Sequence, residues 1–294
     1  MKTRRKFLKE SSYLAAGSLI LPVACTDKKQ ETAQTISEEV VESMPMNKSI
    51  GVQVYSVRDA LKEDFSGSIK RLADIGFEYI EGYGLGTDGK ILDMDPGEYR
   101  RMVTDTGLEI ASTHCSYFQA EDSQKVLDAA AAAGIGQVII AHLSEADRDY
   151  HKVAENLNKV GEIFKQAGVV FGYHNHAFEF ENYQESTGLE VMLNETQSDL
   201  VKFQLDLYWA VKGGTDPVSF IEKYPGRFCS FHIKDAAEDL EQTTVGTGIV
   251  PFEGVFNIKG KSGATHFFVE DERTDNPFGN VEAAFNYLNQ AAFV

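Results

Sequence analysis

The sequence has few cysteines, few prolines and few basic side chains for its length. Its 294 residues include 3 Cys and 7 Pro, with 28 Lys and Arg against 45 Asp and Glu. Three cysteines cannot build a disulfide framework, so we expect Cys115 and Cys229 to be buried small side chains. A net charge of −17 repels phosphate backbones and argues against a nucleic-acid partner. The 43% hydrophobic residues supply a sizeable core, which excludes the disordered and collagen-like classes.

The first 25 residues are predicted to be an export signal. Residues 3–9 (TRRKFLK) resemble a twin-arginine signal, and the apolar stretch at 13–24 is too short to span a bilayer. Residues 21–25 (LPVAC) resemble a lipobox, which predicts lipidation of Cys25; ordinary cleavage nearby is the alternative. Without these residues the net charge is about −21, and residues 26–48, which are polar and aperiodic, predict a flexible tether. We therefore expect an exported, periplasmic protein that meets the membrane only through a lipid anchor.

From residue 50 onward, strand and helix signals alternate. The strand signals cover 50–57, 78–83, 109–115, 137–142, 169–175, 202–208, 228–234 and 265–271, with helical candidates such as 66–75, 99–106, 123–133 and 150–167 between them. Four helices end in glycines expected to adopt a left-handed cap: Gly76, Gly107, Gly134 and Gly168. Eight such units predict a single-domain (β/α)8 TIM barrel over residues 49–294. A doubly wound sheet is the alternative, but the sequence after the first strand (YSVRD) lacks its glycine-rich phosphate turn.

Titratable side chains are concentrated where the predicted strands end. Five of the seven histidines lie there: His114, His142, His174, His176 and His232. In a TIM barrel the carboxyl ends of the strands build the active site. His174 and His176, two residues apart on one strand, point to the same face.

The strands that follow add oxygen ligands to these imidazoles. Asp206, His232 and Glu270 come from three successive strands. Nitrogen and oxygen ligands of this kind suit one divalent ion, namely Mn²⁺, Co²⁺, Fe²⁺, Zn²⁺ or Mg²⁺. The alternative for any one of them alone is a hydrogen-bonded residue of the barrel rim.

From residue 50 to residue 294 the chain resembles the sugar phosphate isomerase/epimerase group of xylose-isomerase-like TIM barrels. The resemblance is carried by the combination of several short motifs and not by any one of them. They are GVQVYSVR at 51–58, YHNH at 173–176 followed by Glu179 and Phe180, LD at 205–206 with Trp209, HIKD at 232–235, GTG at 246–248 and VE at 269–270.

The resemblance implies a metal held by Glu, Asp, His and Glu on strands five to eight. Asp206, His232 and Glu270 match the last three of these ligands. On strand five the family's Glu-Asn-His is replaced by residues 174–176 (HNH), so the fourth ligand is His174, His176 or Glu179. All three stay open at this point.

The resemblance also implies a metal-dependent carbohydrate isomerase or epimerase. Such enzymes use two carboxylates to remove a proton beside a carbonyl and return it on the other face, through an enediolate. With His174 in one carboxylate position, the alternative is a lyase, a dehydratase or an enzyme that cleaves 3-keto-glycosides. The predicted catalytic groups are Glu270 as base, Lys234 as oxyanion stabiliser, and His114 or His176 as general acid.

The substrate is expected to be a small sugar, neutral or oxidised. Candidate substrate-binding residues are Gln53, Tyr55, Arg58, Tyr117 and Trp209, since aromatic side chains stack on sugar rings. The GTG sequence at 246–248 is compatible with a phosphate cradle, but the expected export argues against a phosphorylated substrate. The alternatives of other classes are a non-catalytic sugar-binding lipoprotein and, against the charge balance, a metal-dependent endonuclease. A homodimer is compatible with the acidic rim.

Overall fold

The computed structural model describes residues 49–294. The predicted signal peptide, tether and lipidation site at Cys25 lie outside these residues. None of the described helices combines the length and the apolar composition that a membrane crossing requires.

Eight parallel strands close into a barrel. They are β1 (Gly51–Gln53), β2 (Tyr79–Leu85), β3 (Glu109–Cys115), β4 (Gln137–Ile140), β5 (Val170–His174), β6 (Lys202–Asp206), β7 (Phe228–Ile233) and β8 (His266–Val269). Each strand pairs with its neighbours in chain order, and β1 closes the ring against β8 through Gly51 and Phe268. The predicted (β/α)8 barrel is confirmed.

Helices follow the strands and cover the outside of the barrel. They are α1 (Arg58–Glu63), α2 (Phe65–Ile75), α3 (Pro96–Thr104), α4 (Ser123–Ala133), α5 (Tyr150–Gln166), α6 (Gly188–Glu195), α7 (Leu207–Lys212), α8 (Pro217–Lys223), α9 (Phe252–Asn257), α10 (Lys259–Ser262) and α11 (Pro277–Gln290). Gly76 and Gly134 cap α2 and α4 with φ of 114° and 73°, and Gly107 and Gly168 have φ of 90° and 74°. The left-handed conformation predicted at all four glycines is therefore confirmed.

Six predicted strands extend past the observed ends, and in β1 and β6 a polar side chain is what stops the strand. β1 ends at Gln53, whose side chain accepts a hydrogen bond from the Tyr55 N–H and starts a 3-10 turn at Val54–Val57. β6 ends at Asp206, which caps α7 by accepting from the Trp209 N–H at 2.8 Å. Capping by a side-chain oxygen satisfies a free N–H of the first turn, so it outweighs the β propensity of the apolar residues that follow.

Apolar side chains fill the space between strands and helices, whereas several side chains of the barrel strands are polar and fully buried. They include Gln53, Glu81, Ser112, Thr113, Gln204, Asp206, Ser230 and His232, each with 0% exposure. Cys115 and Cys229 are buried free thiols, as expected.

Two short ribbons stand outside the barrel sheet. One pairs Asn182–Tyr183 with Ser186–Thr187, and the other pairs Asp235–Ala236 with Gln242–Thr243. The carboxylate of Asp235 accepts hydrogen bonds from the N–H groups of Gly246 and Gly248, both at 2.9 Å. These N–H groups are therefore already used, and the suggested phosphate cradle at residues 246–248 is wrong.

Candidate active site

A cavity of about 600 Å³ opens at the carboxyl ends of the strands. It is lined by four histidines, several acidic side chains and three tyrosines. Its lining includes Tyr55, Tyr83, His114, Tyr117, His142, Ser144, Asp147, His174, His176, Glu270 and Glu272. The histidines that the sequence placed at the ends of strands three to five therefore share one cavity with Glu270.

Asp206, His232 and Glu270 form a group whose ligand atoms all lie within 4.8 Å of one another. His232 Nδ1 is 3.0 Å from Glu270 Oε2 and 3.8 Å from Asp206 Oδ2. Asp206 Oδ2 is buried without a hydrogen-bond partner among residues 49–294, and burial raises the pKa of this carboxyl group to about 7. A buried carboxylate oxygen without a partner, beside an imidazole and a second carboxylate, is a donor set that fits a divalent cation.

Gln204 fixes the orientation of two further histidines beneath this group. Its Nε2 donates to Glu81 Oε1 at 2.7 Å and to Ser230 Oγ at 2.9 Å, so Oε1 is the atom that faces the rings. His114 Nε2 and His174 Nδ1 lie 2.7 and 3.1 Å from this oxygen and therefore donate to it. His174 keeps its Nε2 lone pair for a ligand, because a neutral imidazole carries one N–H and one acceptor nitrogen.

Glu81 supports the same layer from β2. Its Oε1 accepts from Ser112 Oγ at 2.7 Å in addition to Gln204, and its Oε2 accepts from Gln53 Nε2 at 2.9 Å. His232 Nε2 lies 2.5 Å from Oε2. A carboxylate on one ring nitrogen leaves the other nitrogen free to face a metal, an arrangement common around metal-binding histidines. In this way Glu81 holds His232 with Nδ1 towards the acidic pair.

Neighbouring charges keep Glu81 and His232 ionised although both side chains are buried. Burial raises the pKa of Glu81, but His114 and His232 outweigh it and hold the pKa well below the ordinary value. Burial lowers the pKa of His232, but Glu270 and Glu81 raise it to about 10. His232 is therefore held as an imidazolium between Glu81 and Glu270, and a metal would bind at Nδ1 only in exchange for the proton there.

The three strand-five candidates have different surroundings. His174 lies with His114 and His232 in a second group whose ligand atoms are within 4.8 Å of one another. His176 lines the cavity, and its Nδ1 is buried without a hydrogen-bond partner in the described part of the chain. Glu179 is fully buried and accepts from Tyr173 Oη and from the His176 N–H. His174 thus shares only His232 with the Asp206–His232–Glu270 group, whereas Glu179 is engaged by Tyr173 and the His176 N–H.

Lys234 supplies a buried cation next to Glu270. Its ammonium lies 3.5 Å from Glu270 Oε2, forms an ion pair with Glu272 and sits 4.9 Å from the centre of the Trp209 ring. Burial lowers the pKa of Lys234, but Glu270, Asp206 and Glu272 more than offset this and raise it. Lys234 is thus a permanent positive charge beside the proposed base.

The candidate sugar-binding residues do not all face the cavity. Tyr55 and Tyr117 line it. The Arg58 guanidinium lies 4.6 Å from the Tyr55 ring and donates to the Glu272 carbonyl at 3.0 Å. Gln53 is fully buried against Glu81, outside the cavity lining.

Trp209 packs beside His176, with ring centres 5.4 Å apart, and its Nε1 is buried without a hydrogen-bond partner among the described residues. Sequence reasoning assigned no role to Glu81, which lies near the end of the second predicted strand, and it missed Gln204. Gln204 precedes Asp206 by two residues, and this alternation along β6, which puts both on one face, was the available signal.

A family model described as xylose isomerase-like TIM barrel matches residues 69–291. A solved sugar phosphate isomerase/epimerase from Parabacteroides distasonis is 31% identical, with a TM-score of 0.76 over 87% of this chain and 99% of that one. A solved L-ribulose 3-epimerase shares the fold at 17% identity, with a TM-score of 0.61 over 81% of this chain and 92% of that one. The inosose dehydratase of Bacillus thuringiensis is 24% identical over 50% of this chain and 56% of its own length. The chain thus spans about half the length of the curated relatives it matches, and it belongs to the xylose isomerase-like TIM barrel family.

Proposed function

We propose that the protein is a metal-dependent carbohydrate lyase, which removes a proton next to a carbonyl and then releases the group on the β carbon. The observation that carries this proposal is the single carboxylate base, Glu270, beside Lys234 and His232, with His174 where the resembling family has a second carboxylate. The similarity to inosose dehydratases supports it.

The donor set at the cavity fits a divalent ion held by Asp206, His232 and Glu270, with His174 as the fourth ligand. The unpartnered Asp206 Oδ2 and the Nδ1 of His232 are the observations that support this assignment. When bound, such an ion polarises the substrate carbonyl and lowers the cost of the enediolate.

Glu270 carries out both proton transfers, and Lys234 stabilises the charge that develops between them. Glu270 accepts the proton from the carbon next to the carbonyl, and the Lys234 ammonium stabilises the negative charge that develops on the carbonyl oxygen. The electron pair of the enolate then re-forms the carbonyl. A carbon–carbon double bond forms, and the carbon–oxygen bond at the β position breaks. The leaving oxygen takes its proton from Glu270, which restores the base and yields an unsaturated ketone and an alcohol or water.

For His176 we propose substrate binding, whereas the sequence predicted a general acid. Burial lowers the pKa of its imidazole to about 3, so the ring is neutral at pH 7. A neutral ring with a buried Nδ1 that lacks a partner serves as a hydrogen-bonding group for a substrate hydroxyl.

Epimerisation or isomerisation is the second candidate, favoured by the 31% identical solved relative. Epimerisation needs an acid or base on the opposite face of the substrate. Glu179, the carboxylate nearest in sequence to His174, has 0% exposure and is engaged by Tyr173 and His176. Elimination needs only one base on one face, and Glu270 supplies it.

The proposed substrate is an unphosphorylated keto-sugar, such as a 3-keto-glycoside. Export through residues 1–25, anchorage through Cys25 and assembly as a homodimer remain proposals from the sequence. A sugar-binding lipoprotein without activity is the remaining alternative of another class.

The test is release of the alcohol from a 3-keto-glycoside by the full chain loaded with Mn²⁺, Co²⁺ or Zn²⁺. We expect release that stops with a chelator and falls by about 10²–10⁴-fold in Glu270→Gln, since a positioned base contributes about that much. Glu109→Gln, an exposed residue at the start of β3, is the matched control and keeps the wild-type rate. Equal rates in Glu270→Gln and wild type would remove Glu270 from the mechanism.

A further inference from the structure

The cavity changes character between its inner and outer ends. At the inner end His114, His174 and Glu270 are 8%, 3% and 5% exposed. At the outer end stands Tyr55, which is 38% exposed. The chemistry proposed above uses only the inner end.

Two tyrosines in contact form the outer end. Tyr55 meets Tyr83 edge to face, with ring centres 5.1 Å apart, and Tyr117 also lines the cavity. Within residues 49–294, Tyr55 and Ile249 are the two large hydrophobic side chains that remain exposed. An exposed aromatic ring at the mouth of a cavity is a typical contact for an apolar ligand face.

The position of Tyr55 is fixed by its neighbours. The Arg58 guanidinium covers its ring at 4.6 Å and is itself tied to the Glu272 carbonyl. Among residues 49–294, the lining of the cavity includes the carboxylates of Asp147, Glu270 and Glu272 and no Lys or Arg side chain. This favours an uncharged ligand over a phosphate or a carboxylate.

The cavity is large enough for a ligand with more than one ring. Sites that take drug-sized ligands measure about 300–1,000 Å³. The cavity of about 600 Å³ falls well inside that range and leaves room beyond one sugar ring held at Glu270.

We propose that the tyrosine wall formed by Tyr55 and Tyr83 is a subsite for a second ring with an apolar face, joined to the reacting sugar through the glycosidic oxygen. The substrate is then a glycoside, and the second ring leaves with the alcohol. Resting on the proposed function, the step is the elimination described above: the bond between the sugar carbon and the glycosidic oxygen breaks, and this oxygen takes the proton that Glu270 removed.

An aryl aglycone and a second pyranose both present such a ring, so the probes separate them. Glucose, methyl β-glucoside, phenyl β-glucoside and cellobiose are titrated into the full chain by calorimetry. We expect phenyl β-glucoside to bind about 3- to 10-fold more tightly than methyl β-glucoside, the range that one aromatic stacking contact provides. If cellobiose shows the same gain, the subsite also accepts a sugar; if it does not, the ring is an aryl group.

Variants of Tyr55 test whether this residue causes the tighter binding of phenyl β-glucoside. In Tyr55→Ala the ratio of the two affinities is expected to fall to about 1, whereas Tyr55→Phe retains it because the ring face is kept. Ile249→Ala, the other exposed hydrophobic residue, is the matched control and leaves the ratio unchanged. Equal binding of methyl and phenyl β-glucosides by wild type, no measurable binding of phenyl β-glucoside, or an unchanged ratio in Tyr55→Ala would overturn the proposal. Methyl and phenyl β-glucoside, whose affinity ratio decides the test, are acetals without a free carbonyl and do not react. Failure of the lyase chemistry and failure of the subsite are therefore separate results.

Discussion

Replacing Glu81 by Gln removes the charge beneath the candidate metal site and alters its shape little. In the wild type the two carboxylate oxygens accept hydrogen bonds from Gln53, Ser112, Gln204 and His232. In the variant one of the two oxygens becomes an NH₂ group. Whichever oxygen it replaces, this group faces hydrogen-bond donors that the oxygen accepted from. The Ser112 hydroxyl can rotate to accept, so the amide nitrogen is expected on that side, where Gln204 loses its acceptor.

Two costs follow from this geometry. A buried donor without a partner destabilises the fold by about 1–3 kcal/mol. Loss of the carboxylate behind His232 weakens metal binding by about 10- to 100-fold, which corresponds to about 1.4–2.8 kcal/mol. Glu81 is 0% exposed, so water cannot replace the lost contacts.

The assay is competitive titration of the chelator-treated full chain with Zn²⁺, Co²⁺ and Mn²⁺, together with thermal unfolding. Glu109→Gln makes the same chemical change at an exposed position and is expected to match the wild type. A metal affinity in Glu81→Gln within about twofold of the wild type would refute the orienting role of Glu81.

Three further predictions concern other parts of the chain. Asp206→Ala should lose bound metal on gel filtration while keeping its circular dichroism spectrum, because the unpartnered oxygen is gone; unchanged metal content would remove Asp206 from the ligand set. Burial raises the pKa of Glu179 from 4.5 to about 7, so the folded protein binds the carboxyl proton more tightly than the unfolded chain does. The resulting contribution to the free energy of unfolding, about 3 kcal/mol, is complete below about pH 4.5 and is lost as the pH rises through 7. Glu179→Gln should therefore flatten the free energy of unfolding between pH 4.5 and 7 in denaturant titrations, and a slope equal to wild type would contradict the burial argument. Replacing Arg4 and Arg5 by Lys should keep the protein in the cytoplasm, and its appearance in the periplasmic fraction would show that the signal was misidentified.

Most of the barrel could be predicted from the sequence, because its regular βα spacing and glycine caps depend on local structure. β3 and α4 have the predicted bounds. The ends of β1 and β6 could not be predicted in the same way. Apolar residues continue past Gln53 and Asp206, and only the capping hydrogen bonds stop the strands there.

The proximity of Asp206, His232 and Glu270 could also be predicted, since each lies at the carboxyl end of a barrel strand. The polar layer of Glu81 and Gln204 could not, because it depends on which side chains the barrel register brings together. Glu81 lies on β2 and Gln204 on β6, and they meet only across the closed barrel. Nothing local in the sequence marks these two residues as partners.

The most direct test of metal-dependent elimination is NMR of the metal-loaded full chain with a 3-keto-glycoside in deuterated water. Elimination predicts release of the aglycone and an unsaturated ketone, at a rate that depends on the metal and on Glu270. Deuterium beside the carbonyl with the glycosidic bond intact would contradict elimination and establish isomerase or epimerase chemistry instead.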